Sequence, residues 1–192
     1  MIVIGGSLGG MQSTQSILSA LPATFPLPIV IVLHRPPDDE DKLTPLLQRG
    51  CALRVSEVVD KEPIEAGRVY VAPPDYHVLI EPDCLSVSID ERVNHARPSV
   101  DVLFESAALV CSGRVIGVIL SGAGADGARG AASIERSGGT VLVESPATAF
   151  RSDMPAAALA ATAGSTSLPL PQLAAALCEL ARKNVTGVSH AN

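Results

Sequence analysis

Twice in this chain an unbroken apolar run ends in a glycine-rich turn that opens a helical stretch, and this repeated arrangement narrows the fold more than any other feature. Met1-Ile2-Val3-Ile4 runs into Gly5-Gly6-Ser7-Leu8-Gly9-Gly10, then a helix-like stretch from Met11 to Leu21. Val115-Ile116-Gly117-Val118-Ile119-Leu120 runs into Ser121-Gly122-Ala123-Gly124-Ala125-Asp126-Gly127, then a helix from about Ala128 to Ser137. An apolar run of strand length without alternation is buried on both faces, as parallel strands are when helices cover them. Ile29 to Leu33 and Thr140 to Glu144 are further strands of this kind. The composition agrees: 47% of residues are hydrophobic and only 3% aromatic, which suits strands under Ala-rich helices. The reading is α/β with a parallel sheet.

The 192 residues suit a single domain. Pro22 to Pro28 holds three prolines in seven residues and is a connection. Asp38-Asp39-Glu40-Asp41 is a solvated acidic first turn for a helix over Lys42 to Arg49, not a metal site, and Leu53 to Ser56 is a short strand. Three strands follow with no room for helices between them: Gly67 to Ala72, His77 to Glu81 and Leu85 to Ile89. Such strands pair antiparallel, so this region reads as a β-hairpin excursion from the parallel sheet. Ser99 is placed as the N-cap of a helix through Val110. Pro155 to Ala163 and Gln172 to Arg182 are the last helices. The domain is expected over 1–183, with a frayed tail over 184–192.

A net charge of −6 with no Lys/Arg-rich run excludes nucleic acid as a natural partner. Cys51, Cys84, Cys111 and Cys178 form no CxxC pair, so neither a disulfide framework nor a zinc site is expected, and free thiols suit a reducing cytoplasm. No apolar run is long enough to span a bilayer and no basic n-region precedes the first strand.

Gly5-x-Ser7-x-Gly9 fits a nucleophile elbow, in which flanking glycines expose a serine on a tight turn. It equally fits a plain or phosphate-binding βα turn. Gly122-x-Gly124-x-x-Gly127, with Glu144 seventeen residues after it, fits a dinucleotide fingerprint, although it lies late in the chain and sets Asp126 where a pyrophosphate would sit. The other explanation groups Ser7, His34 and Asp126. Each follows a buried strand, so parallel strands bring all three to one sheet edge. A serine nucleophile needs a base within reach, and the base a carboxylate to orient it. The plain alternatives are a rim histidine at 34 and a helix N-cap at 126.

Six segments in order bear a resemblance to a known family. Ile4-Gly5-Gly6-Ser7-Leu8-Gly9-Gly10 resembles the "IGASTGG" segment of the chemotaxis protein-glutamate methylesterases, the CheB-type catalytic domain. His34-Arg35-Pro36-Pro37 resembles "HMPP", Tyr70 to His77 resembles "YIAPGDKH", and Arg97 to Phe104 is close to "RPSVDVLF". Gly117 to Gly127 resembles "GVILTGMGNDG", and Asp153-Met154-Pro155 fits the later "GMP". The match runs from residue 2 to about residue 180.

The resemblance implies a doubly wound, mostly parallel sheet with an antiparallel hairpin and a serine-hydrolase site at its carboxyl edge. It implies Ser7 as nucleophile, His34 as base and Asp126 as orienting acid, with the backbone N–H groups of Leu8 and Ala123 forming an oxyanion hole. It implies removal of methyl esters from glutamate side chains on the cytoplasmic domain of chemoreceptors, glutamine deamidation by the same chemistry, and no cofactor. The chain departs from the family at Leu8 (usually threonine), Ala123 (methionine) and Arg35 (methionine). Family members usually carry an N-terminal receiver domain. This chain begins at the first catalytic strand, which leaves room for a separate regulatory domain or protein. Two further readings stay open: a nucleotide-binding domain using Gly122 to Gly127, and a non-catalytic receptor-binding scaffold.

Overall fold

The computed structural model describes residues 1–37 and 42–187, the last four as backbone only. Seven strands form one parallel sheet: β1 (Ile2–Gly6), β2 (Ile29–Leu33), β3 (Arg54–Glu57), β5 (Arg68–Val71), β8 (Ile116–Ile119), β9 (Thr140–Glu144) and β10 (Thr166–Leu168). Their spatial order is β10-β9-β8-β1-β2-β5-β3. A small antiparallel sheet holds β4 (Glu62–Pro63), β7 (Cys84–Ser88) and β6 (His77–Ile80), in that order. Among the described residues there are six helices: α1 (Gly10–Ala20), α2 (Leu43–Gln48), α3 (Val100–Cys111), α4 (Ala128–Arg136), α5 (Asp153–Ala161) and α6 (Leu170–Gly187).

The strand runs are apolar throughout because both faces are covered. Along β1, Ile2 and Ile4 join a cluster under α1, α2 and α6, while Val3 joins one under α3, α4 and α5. Ile29 and Ile31 split from Val30 and Val32 in the same way on β2. A period of 2 with apolar residues at every position is the signature of a sheet in the middle of three layers.

The order places β1 between β2 and β8. The chain leaves β1 toward α1 on one face and leaves β8 toward α4 on the other. A crevice must open between these two loops at the carboxyl ends of the strands, which is where sheets of this type bind ligands. Ser7 follows β1, His34 follows β2 and Asp126 follows β8, so the topology alone assembles the three on one edge.

One pairing differs from the sequence reading. Gly67 to Ala72 does not belong to the hairpin; β5 lies inside the parallel sheet between β2 and β3. Val69, Tyr70 and Val71 are all fully buried, as an internal strand requires and a hairpin arm with one open face does not. The chain reaches it from β3 through the two-residue β4 instead of a helix. The antiparallel excursion is therefore β6 and β7, with β4 on the far side of β7. The short segment 165–168 supplies β10, a parallel edge strand. The acidic run Asp38 to Asp41 lies outside the described residues. α6 extends past Arg182 to Gly187, and residues 188–192 of the expected tail lie outside the described part. No helix among the described residues is long and apolar enough to cross a membrane.

Candidate active site

The turn after β1 is shaped by what stands behind it. The N–H of Ser7 donates to the carbonyl of Ser121, two residues past the end of β8, at 3.0 Å. The next residue, Gly122, lies so close that a Cβ there would sit 2.9 Å from the Ser7 Cβ and against the Met154 sulfur. Only glycine lets the two loops touch. Gly9 caps α1 at φ +89°, a conformation that L residues with side chains rarely adopt. Glu144, buried at the end of β9, accepts from the Ser121 N–H at 2.8 Å and the Ser13 hydroxyl at 3.0 Å. Its carboxylate braces the loop behind Ser7, which is a different task from holding a ribose.

His34 is held by its backbone, its N–H donating to the Gly6 carbonyl at 3.1 Å. Its ring Nε2 lies 2.8 Å from Asp126 Oδ2. A carboxylate at Nε2 fixes the proton there and leaves the Nδ1 lone pair as the basic atom. Ser7 and His34 line one cleft of about 180 Å³, whose walls include Met11, Leu33, Leu43 and Leu46. Among the described residues, the N–H groups of Leu8 and Ala123 donate to no acceptor within the protein. Leu8 is itself exposed.

Asp126 is the most heavily coordinated side chain of the site. Besides His34 it accepts from the Ser99 hydroxyl at 2.7 Å, the Asn94 amide at 2.9 Å, and the N–H groups of Val100 at 2.7 Å and Asp101 at 3.1 Å. Burial pushes its carboxyl up. The donors, His34 foremost and then Asn94, Val100 and Ser99, outweigh burial and hold it below the ordinary value. Asp126 thus caps a helix, but that helix is α3, seen across the crevice, and not its own α4.

The favour is returned. Asp101, in the first turn of α3, accepts from Gly127 N–H at 2.9 Å and Gly130 N–H at 2.7 Å at the start of α4. Each helix is capped by the carboxylate that precedes or opens the other, and each carboxylate sits at a positive helix end. Burial raises the Asp101 carboxyl against the pull of Gly130 and Asn94, with the charge on Asp126 adding to the rise. Asn94 bridges the pair, donating to Asp101 Oδ2 at 2.8 Å as well as to Asp126. Its φ of +52° is one that asparagine tolerates better than most residues.

Ser99 occupies the N-cap position, but its hydroxyl makes no bond to its own helix. The expected Ser99 cap is replaced by the Asp126 carboxylate, a stronger acceptor for the Val100 and Asp101 N–H groups. His77 is buried between the Glu91 carbonyl and the Ser99 N–H, well occupied as a structural group. Arg35, beside His34, reaches Glu57 Oε2 at 2.8 Å and the Ala72 carbonyl at 3.0 Å. Asn94, Ser99 and Asp101 as supports of Asp126 have no periodic signal in the sequence. The one hint was two polar residues at the start of the same helix.

A three-layer α/β fold with a serine at the β1 turn, a histidine bonded to an aspartate, and uncommitted N–H groups beside the serine has the parts of a serine-hydrolase site. The comparisons with known proteins narrow the class. The CheB methylesterase family model matches residues 2–177, and the chain belongs to that family. A Leptospira interrogans (serovar copenhageni) protein, provisionally named for protein-glutamate methylesterase and protein-glutamine glutaminase, is 44% identical over 185 residues, 96% of each chain. The protein-glutamate methylesterase/protein-glutamine glutaminase of Trichodesmium erythraeum is 38% identical over 91% of this chain, which spans 51% of that longer protein. The crystal structure of the Thermotoga maritima CheB methylesterase catalytic domain superposes with a TM-score of 0.90 at 34% identity, covering 93% of this chain and 97% of that one.

Proposed function

We propose that the chain is a catalytic domain over 1–183 that hydrolyses glutamate γ-methyl esters on the cytoplasmic part of chemoreceptors, and that it works in the cytoplasm without a cofactor. One observation carries the reading: the imidazole of His34 is oriented by Asp126 at 2.8 Å and lines the same cleft as Ser7. Ser7 Oγ attacks the ester carbonyl while His34 Nδ1 accepts its proton. The charge that develops on the carbonyl oxygen is met by the N–H groups of Leu8 and Ala123, preorganised donors that together supply several kcal/mol in such sites, about 3–4 each by mutagenesis elsewhere. The imidazolium is stabilised by the Asp126 carboxylate and returns the proton to the departing methoxide. Water, deprotonated by the same nitrogen, then releases the glutamate from Ser7. The walls of Met11, Leu33, Leu43 and Leu46 suit the apolar arm and methyl group of the ester. A glutamine side chain would follow the same path with ammonia leaving.

The departures at Leu8 and Ala123 are compatible with this mechanism because only their backbone atoms act. The test is methanol release from a methylated receptor cytoplasmic domain, with Ser7→Ala in parallel. Release that falls by about 10³-fold or more in the variant supports the reading. Release that is equal in both proteins removes Ser7 from the chemistry, and none from either removes the esterase.

A further inference from the structure

A second cleft adjoins the first. It measures about 190 Å³ and shares His34 and Arg35 with the Ser7 cleft. The rest of its lining comes from the segment before α3, including Arg92, Asn94, His95 and Arg97. Among the described residues no carboxylate lines it. Behind the lining, Asp126 and Glu57 already pair with His34 and Arg35, while Asp75 serves two cations at once: its Oδ1 accepts from Arg92 at 2.8 Å and Arg97 at 3.1 Å, and its Oδ2 from Arg97 at 2.9 Å. Two guanidiniums sharing one carboxylate leave one positive charge unmatched within the Arg92–Arg97–Asp75 group, in a chain whose net charge is −6.

The two arginines differ in what they do. Arg97 also donates to the carbonyls of Ile89 and Asp90, at 2.7 and 3.0 Å, and is a structural clamp. Arg92 is half-exposed, with one bond to Asp75, so it retains donors for something outside the fold. A protein of this net charge repels an acidic segment at long range. The half-exposed guanidinium of Arg92, in the cleft that adjoins the Ser7 cleft, offsets this at the one place where such a segment must approach. Neighbouring side chains on a substrate helix stand about 5–6 Å apart at spacings of three and four, so a residue beside the reacting one reaches the adjoining cleft.

We infer that this cleft is a carboxylate subsite, in which Arg92 receives an aspartate or glutamate side chain of the substrate close in sequence to the glutamyl ester held at Ser7. The inference rests on the proposed esterase reading for the identity of the substrate. It makes Arg92 a specificity-determining residue: it binds the flanking acid and takes no part in bond breaking.

The experiment uses helical peptides with one glutamyl γ-methyl ester and a single glutamate one, three or four residues to either side, against the same peptides with glutamine there. At least one glutamate peptide is expected to bind more tightly than its glutamine twin. That preference should fall roughly three- to fivefold in Arg92→Gln, the range of a partly exposed ion pair, be largely kept in Arg92→Lys, and weaken with salt. In turnover the change should appear in KM with kcat unaltered. Fluorescence titration with the unesterified peptides reads the subsite without any turnover. Equal affinity of the glutamate and glutamine peptides, or an unaltered preference in Arg92→Gln, overturns the subsite even where methanol is released. Absence of methanol from every peptide and from methylated receptor overturns the esterase reading, while the titration still decides the subsite.

Discussion

Ser99 separates two explanations of one residue, and Ser99→Asp tells them apart. As a helix N-cap, aspartate ranks with serine, so the change should alter stability by no more than a few tenths of a kcal/mol. In the structure the buried Ser99 hydroxyl donates to Asp126 Oδ1 at 2.7 Å. An ionised aspartate has no proton to give. The change first removes a hydrogen bond to a charged group, about 1.5–3 kcal/mol. It then sets a second carboxylate against Asp126. Two charges about 4 Å apart at an effective dielectric near 20 repel by roughly 4 kcal/mol. Protonating one relieves this, but holding a carboxyl neutral at pH 7 costs about 1.4 kcal/mol per pH unit above its usual value, again near 4 kcal/mol. By either route Ser99→Asp should lose at least about 4 kcal/mol at pH 7 and much less at pH 4.5. Ser99→Ala should lose about 1–3 kcal/mol at both. Urea unfolding followed by circular dichroism reads all three proteins, and where Ser99→Asp fails to fold at pH 7 the pH 4.5 arm gives its value. A Ser99→Asp protein as stable as the wild type at both pH values would refute the reasoning and return Ser99 to a simple cap.

The Asp126 carboxyl is held below its ordinary value in the folded protein, so its ionised form adds stability above the unfolded value near pH 4 and loses it as pH falls through the folded one. The melting-temperature gap between wild type and Asp126→Asn should therefore be full at pH 6 and close below about pH 4; a gap that widens in acid contradicts the sign. The same variant should lose about 10³-fold or more in kcat, since His34 loses the carboxylate that fixes its tautomer. Gly122→Ala should cost about 1–3 kcal/mol from overpacking against Met154 and Ser7, and should lower kcat more than it raises KM because the nucleophile is what moves. Wild-type kcat in Gly122→Ala would show that the loop yields elsewhere.

The α/β class, the strand-turn-helix units and the places of Ser7, His34 and Asp126 at strand ends were all legible in the sequence, because burial on both faces writes itself as continuous apolar runs and sharp turns as glycine. β9 was legible to its exact bounds for the same reason. The order of the strands was not. β5 reads alone like a hairpin arm, since an apolar run of four looks the same whatever its neighbours; its place between β2 and β3 is a pairing over long sequence separations. The role of Glu144 was equally hidden. At the end of a strand after a GxGxxG turn it matched a ribose ligand, and only the packing of β9 beside β8 turns it inward onto Ser121.

By itself, then, the sequence determined which residues stand at strand ends and that a serine would sit on a glycine turn, since both follow from local sterics and from burial periodicity. The tertiary structure decided what surrounds them. Asn94, Ser99 and the α3 N-terminus converge on Asp126 from positions 25 to 32 residues away, and Arg92 and Arg97 meet over Asp75. Hydrogen bonds and charge pairs of that kind depend on distance in space, which the fold sets only after the helices have packed on the sheet.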